Sequence, residues 1–253
     1  MISAFEHLLL PSECLLCRDA LSFERSSSFI CRVCATRWRA VLPPWCERCG
    51  QPEPLFGHCR ICDAWPGAFR QARSAVWLDE GARHAVHALK YGGLPRIAAD
   101  LAPTLARLDI PARADGLLVP IPLGPARLAA RGYNQSESLA RALSRHWGRP
   151  VVLLLERVRD TATQTTLTPA ARLANVAGAF RIRSAEGGTR NGAFPVCSAF
   201  RVPRSAVSRP LILVDDVFTT GATLAAAAHA LQEAGAVCVA AVTFGRATIP
   251  NFT

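Results

Sequence analysis

Four C-x-x-C pairs crowd the first 62 residues: Cys14/Cys17, Cys31/Cys34, Cys46/Cys49 and Cys59/Cys62, separated by 13, 11 and 9 residues. A C-x-x-C turn aims two thiolates at one ion, and two such turns complete a tetrahedral four-sulfur shell at about 2.3 Å per Zn–S bond. Eight sulfurs therefore predict two structural Zn²⁺ ions and a small N-terminal double zinc ribbon over residues 1–66. A disulfide framework would need an oxidising compartment, yet Met1–Leu10 carry no Lys or Arg and do not read as a secretory leader. The cytoplasm is the expected compartment. Consecutive pairing, 14/17 with 31/34 and 46/49 with 59/62, gives two short ribbons and is the expectation; an interleaved cross-brace satisfies the same spacing. Either way each ion has four protein sulfurs and no open position for water, so the module reads as a brace or docking element. Gly50, directly after Cys49, suits a knuckle that needs positive φ.

The remainder of the 253 residues is rich enough in apolar side chains to build a proper core, with half the chain hydrophobic. Its apolar runs fall short of the ~20 residues of a membrane helix, so no membrane insertion is expected. Cys238 sits in the apolar run 237–242 and is expected in the core, and Cys197 suggests no role. The net charge of +10 invites a nucleic-acid reading. However, +5 of it lies in 181–210, and 28 of the 29 basic residues are Arg, the exception being Lys90. Eight thiolates set against two Zn²⁺ would also lower the formal sum to +6. The stretch 183–209, rich in Gly, Pro, Ser and Arg, reads as a flexible insertion.

The chemistry is expected near the C-terminus. Residues 211–214 (Leu-Ile-Leu-Val) follow Pro210 and read as a buried parallel strand. Asp215 and Asp216 end it, and Thr219-Thr220-Gly221-Ala222-Thr223 open a helix over 222–234. Free N–H groups at a helix N-terminus favour an anion, Gly221 permits close backbone approach, and the Thr hydroxyls add donors. The two acids suit hydroxyl groups or a hydrated cation beside that anion. Hydroxyls flanked by a phosphate describe a ribose phosphate.

The run Val214–Thr223 resembles the phosphoribosyl-pyrophosphate (PRPP) motif of type I phosphoribosyltransferases. The resemblance implies that Asp215 and Asp216 bind the ribose 2′ and 3′ hydroxyls, and that Thr219, Thr220, Gly221, Ala222 and Thr223 cradle the 5′-phosphate. Lys90-Tyr91, Val119-Pro120-Ile121-Pro122, Arg127, Arg131-Gly132-Tyr133-Asn134-Gln135, the later series Arg157, Thr163, Gln164, Leu167, Arg172 and Asn175, and the cysteine pairs together resemble the ComF family with its DNA-utilisation relatives. On that resemblance the turn at Pro120, Ile121 and Pro122 lies on the pyrophosphate side, with Arg127 and Arg131 beside the leaving-group charge. The polar stretch 160–172 would be a closing loop. Purine-salvage enzymes carry an acid at the position of Thr219, so a purine acceptor is not expected; no catalytic residue is assigned.

The resulting expectation is an α/β protein: the double ribbon, then a type I phosphoribosyltransferase-like domain over 73–253 with a mostly parallel sheet flanked by helices. Strands are expected near 74–78, 116–121, 151–155, 178–182, 211–215 and 237–243, and helices near 81–90, 96–108, 134–146 and 222–234. The ligand would sit at the carboxyl edge of the strands. Two functions follow. One is Mg²⁺-dependent transfer of phosphoribose from PRPP to an unknown acceptor. The other is non-enzymatic handling of single-stranded DNA with DNA-uptake or recombination proteins, the PRPP site serving as sensor or relic.

Overall fold

The computed structural model describes residues 12–22, 27–52, 59, 61–159, 178–183 and 207–248. The expected closing loop over 160–172, Asn175 and Cys197 lie outside them, as does all of 183–209 except its ends.

Four strands form one parallel sheet: β1 (Phe69–Trp77), β2 (Leu117–Pro120), β5 (Leu211–Phe218) and β6 (Val239–Arg246), in the order β1-β6-β5-β2. A second, antiparallel pair joins β3 (Leu155–Arg157) to β4 (Phe180–Ile182). β5 shows why the sheet is parallel and covered. Its first four residues are all buried, and side chains alternate between faces. Ile212 and Val214 join Val242 and Phe244 on one face, while Leu211 and Leu213 join Val239 and Ala241 on the other.

The first face is covered by α2 (Glu80–Tyr91), α3 (Ala98–Leu105) and α5 (Gln135–Trp147). Asp79 caps α2 by accepting from the Ala82 N–H at 2.9 Å, and Asn134 caps α5 by accepting from Ser136. α5 stops at Gly148, whose φ of 64° closes the helix. The opposite face is covered by α6 (Ala222–Glu233), which buries Leu224, Leu231 and a stripe of alanines.

Several details differ from expectation. β1 starts at Phe69, because Phe69 and Ala72 are buried ahead of the run that begins at Ser74. The expected strand over 151–155 forms a ladder only from Leu155, where β3 begins: Val151 makes an isolated parallel bridge to Leu118 at the sheet edge, and Leu153 is exposed. Between β2 and α5 lies α4 (Pro125–Arg131), which buries none of its residues and so has no apolar stripe to reveal it. Cys238 is half-buried one residue ahead of β6 and is not the core residue expected.

The two ribbons repeat one knuckle. Cys14 N–H donates to the Asp19 carbonyl at 2.8 Å and Cys46 N–H to that of Gln51 at 2.7 Å. The residue after the second cysteine is left-handed in both, Arg18 at φ 67° and Gly50 at φ 68°. A short helix, α1 (Arg32–Arg37), carries Cys34. The ribbons also pack against the sheet, one on each face: Cys14, Ile30, Cys34 and Trp38 enter the α2–α3–α5 core, whereas Cys49, Ile61, Cys62 and Trp65 enter the α6 core.

Candidate functional site

β5 delivers its two acids to the carboxyl edge of the sheet, where both meet helices from the same face, α2 and α5. Asp215 is half-buried, and its Oδ1 accepts from Ser136 Oγ at 2.8 Å and from the Asp216 N–H at 2.9 Å. Asp216 is buried, with Oδ1 2.6 Å from Lys90 Nζ in the last turn of α2. Its Oδ2 has no hydrogen-bond partner among the described residues. Such an orphaned acceptor is rare among buried polar groups of folded proteins. Desolvation, reinforced by the charge of Asp216, pushes the Asp215 carboxyl up to about 7, against the opposing pull of Ser136 and Lys90. For Lys90 burial works against the ammonium, but the Asp216 carboxylate outweighs it and holds the pKa above its ordinary value.

The loop after β5 turns sharply. Thr219 is exposed, Thr220 buried, and Gly221 left-handed at φ 75°. A Cβ on Gly221 would lie 2.8 Å from Phe218 Cζ and 2.9 Å from Trp65 Cζ2, so the position admits only glycine. Gly221 is the N-cap of α6 and offers no side-chain acceptor, so no capping side chain occupies the first-turn N–H groups. Ala222 is buried and Thr223 half-buried beside it.

Of the residues expected on the pyrophosphate side, Pro120 and Ile121 lie beside β5 at this same edge. β2 ends at Pro120; the Ile121 N–H donates to the Val214 carbonyl at 3.0 Å, and the Ile121 carbonyl accepts from Asn134 Nδ2 at 2.9 Å. The turn through Pro122 is thereby stapled between β5 and the start of α5. Arg131 closes α4, with its guanidinium 5.1 Å over the Tyr91 ring and bonded to Gln135 Oε1. Tyr133 donates its hydroxyl to the Leu89 carbonyl at 2.5 Å, tying this loop to the end of α2. Arg127 stands one turn earlier on α4, half-buried. Arg157 lies apart on β3, stacked over Phe180.

Two residues of the site had no role assigned from sequence. Ser136 has no sequence signal beyond its place in the first turn of α5. Lys90 does have one: it is the single lysine among 29 basic residues, where a compact point charge on a flexible stem replaces the planar guanidinium.

The cysteines assemble in consecutive pairs. Cys14, Cys17, Cys31 and Cys34 form one group and Cys46, Cys49, Cys59 and Cys62 another, the sulfurs of each within 4.8 Å of one another. Backbone N–H groups already point at them: Leu16 and Cys31 donate to Cys14 Sγ, and Cys34 donates to Cys31 Sγ. Burial and the neighbouring thiols push Cys34 and Cys49 up, and Cys62 up to about 12. Four thiolates this close require a cation to ionise together. Two four-cysteine groups of soft donors, the first with N–H···S support, fit two structural zinc ions.

A chain with two four-cysteine ribbons fused to a parallel α/β sheet defines a class of zinc-ribbon α/β proteins. Residues 5–64 match the model of the Double zinc ribbon domain. The chain is 32% identical to the DNA utilization protein YhgH of Salmonella typhi over 92% of its length and 96% of that protein's. It is 32% identical to the DNA utilization protein YhgH of Escherichia coli K12 over the same shares, 92% and 96%. It is 27% identical to the competence protein ComFC of Bacillus subtilis, over 88% of this chain and 89% of that one. The protein belongs to the ComFC/YhgH competence and DNA-utilisation family. Among the described residues no helix is long and apolar enough to cross a membrane.

Proposed function

We propose that this protein binds PRPP with Mg²⁺ at the carboxyl edge of β5 and transfers its phosphoribosyl group to an acceptor. One observation carries the reading: two adjacent carboxylates and a glycine-capped helix N-terminus share a single strand–loop–helix turn at the open edge of a parallel sheet. Asp215 and Asp216 accept from the ribose hydroxyls. Thr219 to Thr223 hold the 5′-phosphate through backbone N–H and hydroxyl donors. Arg131, held in place by Gln135 and Tyr91, answers charge on the departing pyrophosphate, with Arg127 behind it. Mg²⁺ carried in with the PRPP would supply neutralising charge there.

Thermal denaturation tests this. Millimolar PRPP with Mg²⁺ raises the wild-type melting temperature by several degrees, the response of a ligand that binds only the folded chain. Asp215→Ala with Asp216→Ala removes the shift. An unchanged wild-type curve overturns the proposal. Mass spectrometry of PRPP with a metabolite pool, using the double variant as control, then identifies the acceptor.

The relatives' names, DNA utilization and competence, favour a second role compatible with the first, handling of DNA, and we propose the single-stranded form. Arg96, Arg141 and Arg145 line a cavity of about 380 Å³ with Ser27 and Ser138, a surface suited to phosphates. Binding there weakens steeply with salt; affinity that ignores salt argues against it.

A further inference from the structure

We infer that the second zinc ribbon, unlike the first, positions the phosphate loop, and that Trp65 is the positioning residue. The inference rests on the phosphate-site reading above.

The contacts run without a gap from the sulfurs to Gly221. Trp65 stands one turn beyond Cys62, its N–H donating to the Cys62 carbonyl at 3.2 Å. Its ring, 5% exposed, stacks on Phe69 at 4.1 Å and packs against Phe218 at 6.2 Å between centroids. Together the Trp65 and Phe218 rings fill the space where a Gly221 Cβ would lie. The floor of the loop is thus an indole delivered by the ribbon.

Two arginines lock this floor to the knuckles. Arg48 donates to the carbonyls of Cys62, Trp65, Pro66 and Phe69, all at 2.8–3.2 Å. Arg246, 1% exposed at the end of β6, donates to the Cys49 carbonyl at 2.9 Å and to Gln51 Oε1 at 2.7 Å, with its guanidinium 4.3 Å over the Phe218 ring. Both knuckles of the second group are therefore anchored next to the residues that support Gly221.

The first group meets the sheet elsewhere. Trp38 packs edge-on against Phe244 at 5.0 Å, and the Phe29 N–H donates to Asp100 at 2.8 Å, on the face covered by α2, α3 and α5. Trp38 and Trp65 are matched probes, both buried tryptophans that join a ribbon to the sheet.

The test compares Trp65→Leu with Trp38→Leu in the full zinc-loaded chain, titrated with ribose 5-phosphate by calorimetry. Trp65→Leu weakens binding by about tenfold or more, while Trp38→Leu, of similar stability cost, stays within about threefold. Equal weakening in both, or none in Trp65→Leu while the wild type binds, overturns the inference. Failure of the wild type to bind ribose 5-phosphate or PRPP rejects the underlying phosphate site instead. Should Trp65→Leu not fold, amide exchange of the wild type decides. Coupling is reciprocal, so ligand slows exchange in 61–69 and leaves 29–38 unchanged; protection of neither segment, or of both equally, overturns it.

Discussion

Lys90 Nζ lies 2.6 Å from Asp216 Oδ1, so the only lysine of the chain neutralises the more deeply buried of the two acids. The pair joins the last turn of α2 to the carboxyl end of β5. It keeps a charged oxygen inside the protein while Oδ2 of the same carboxylate is left without a partner among the described residues. Lys90 is a quarter exposed and Asp216 almost wholly enclosed, so removing the cation strands the carboxylate.

Lys90→Met should therefore destabilise the fold by about 2–4 kcal/mol, near the cost of breaking a buried pair. Urea unfolding measures it. Lys90→Arg should restore only part of the loss, since a planar fork cannot reproduce a point charge in the same space. A stability within about 0.5 kcal/mol of wild type, the effect of an ordinary surface substitution, would show that the contact contributes nothing.

Asp215 sets a pH dependence of known sign. Its folded pKa, about 7, lies above its ordinary 3.8, so the fold favours the protonated form. Its contribution to stability is lost as pH rises from 3.8 toward 7. Asp215→Asn removes that penalty but keeps an oxygen for Ser136. The variant should match wild type near about pH 4 and melt a few degrees higher at about pH 8. Melting curves across that range check it; an advantage that is constant with pH contradicts it.

Ser136→Ala tests the same carboxylate from the other side. Ser136 is fully buried, and its hydroxyl is one of two donors to Asp215 Oδ1. A hydrogen bond to an ionised group is worth about 1.5–3 kcal/mol, and one to a neutral group about 1 kcal/mol. The cost of Ser136→Ala should thus grow between about pH 5 and pH 8, as Asp215 ionises. Chemical denaturation at both pH values measures the difference.

Metal analysis should find about two zinc ions per chain, one for each four-cysteine group. Cys14→Ser or Cys62→Ser should each remove about one. A strong chelator should lower the melting temperature sharply, since zinc binding contributes to folding on the scale of a whole domain's stability. A full complement in both cysteine variants would contradict the four-sulfur assignment.

Much of the local chemistry is legible in the sequence. The spacing of the cysteines implies four-sulfur shells because a C-x-x-C turn has one workable geometry, and the consecutive grouping needs only short loops. Leu-Ile-Leu-Val before Asp-Asp implies a buried strand, although the acids do not end it as expected: the ladder to β6 carries β5 on to Phe218. Thr-Thr-Gly-Ala-Thr implies a helix start. Neighbours within a few residues decide such features. α4 is not legible, because it buries nothing, and the run 151–155 misleads because only its ends pair, Val151 at the edge of the main sheet and Leu155 at the start of β3, with Leu153 exposed between them.

Tertiary packing alone decides which distant side chains meet. Lys90 reaches Asp216 only because α2 packs on the same face of the sheet as Val214 and Val242, and Ser136 reaches Asp215 only because Asn134 staples the start of α5 to the β2 turn. The placement of the ribbons on opposite faces has the same origin. β1 feeds the sheet edge beside β6, which leaves Trp38 on one side and Trp65 on the other. Local steric rules write turns, caps and metal knuckles into short stretches of sequence; burial of apolar faces, which depends on the whole chain at once, chooses their partners.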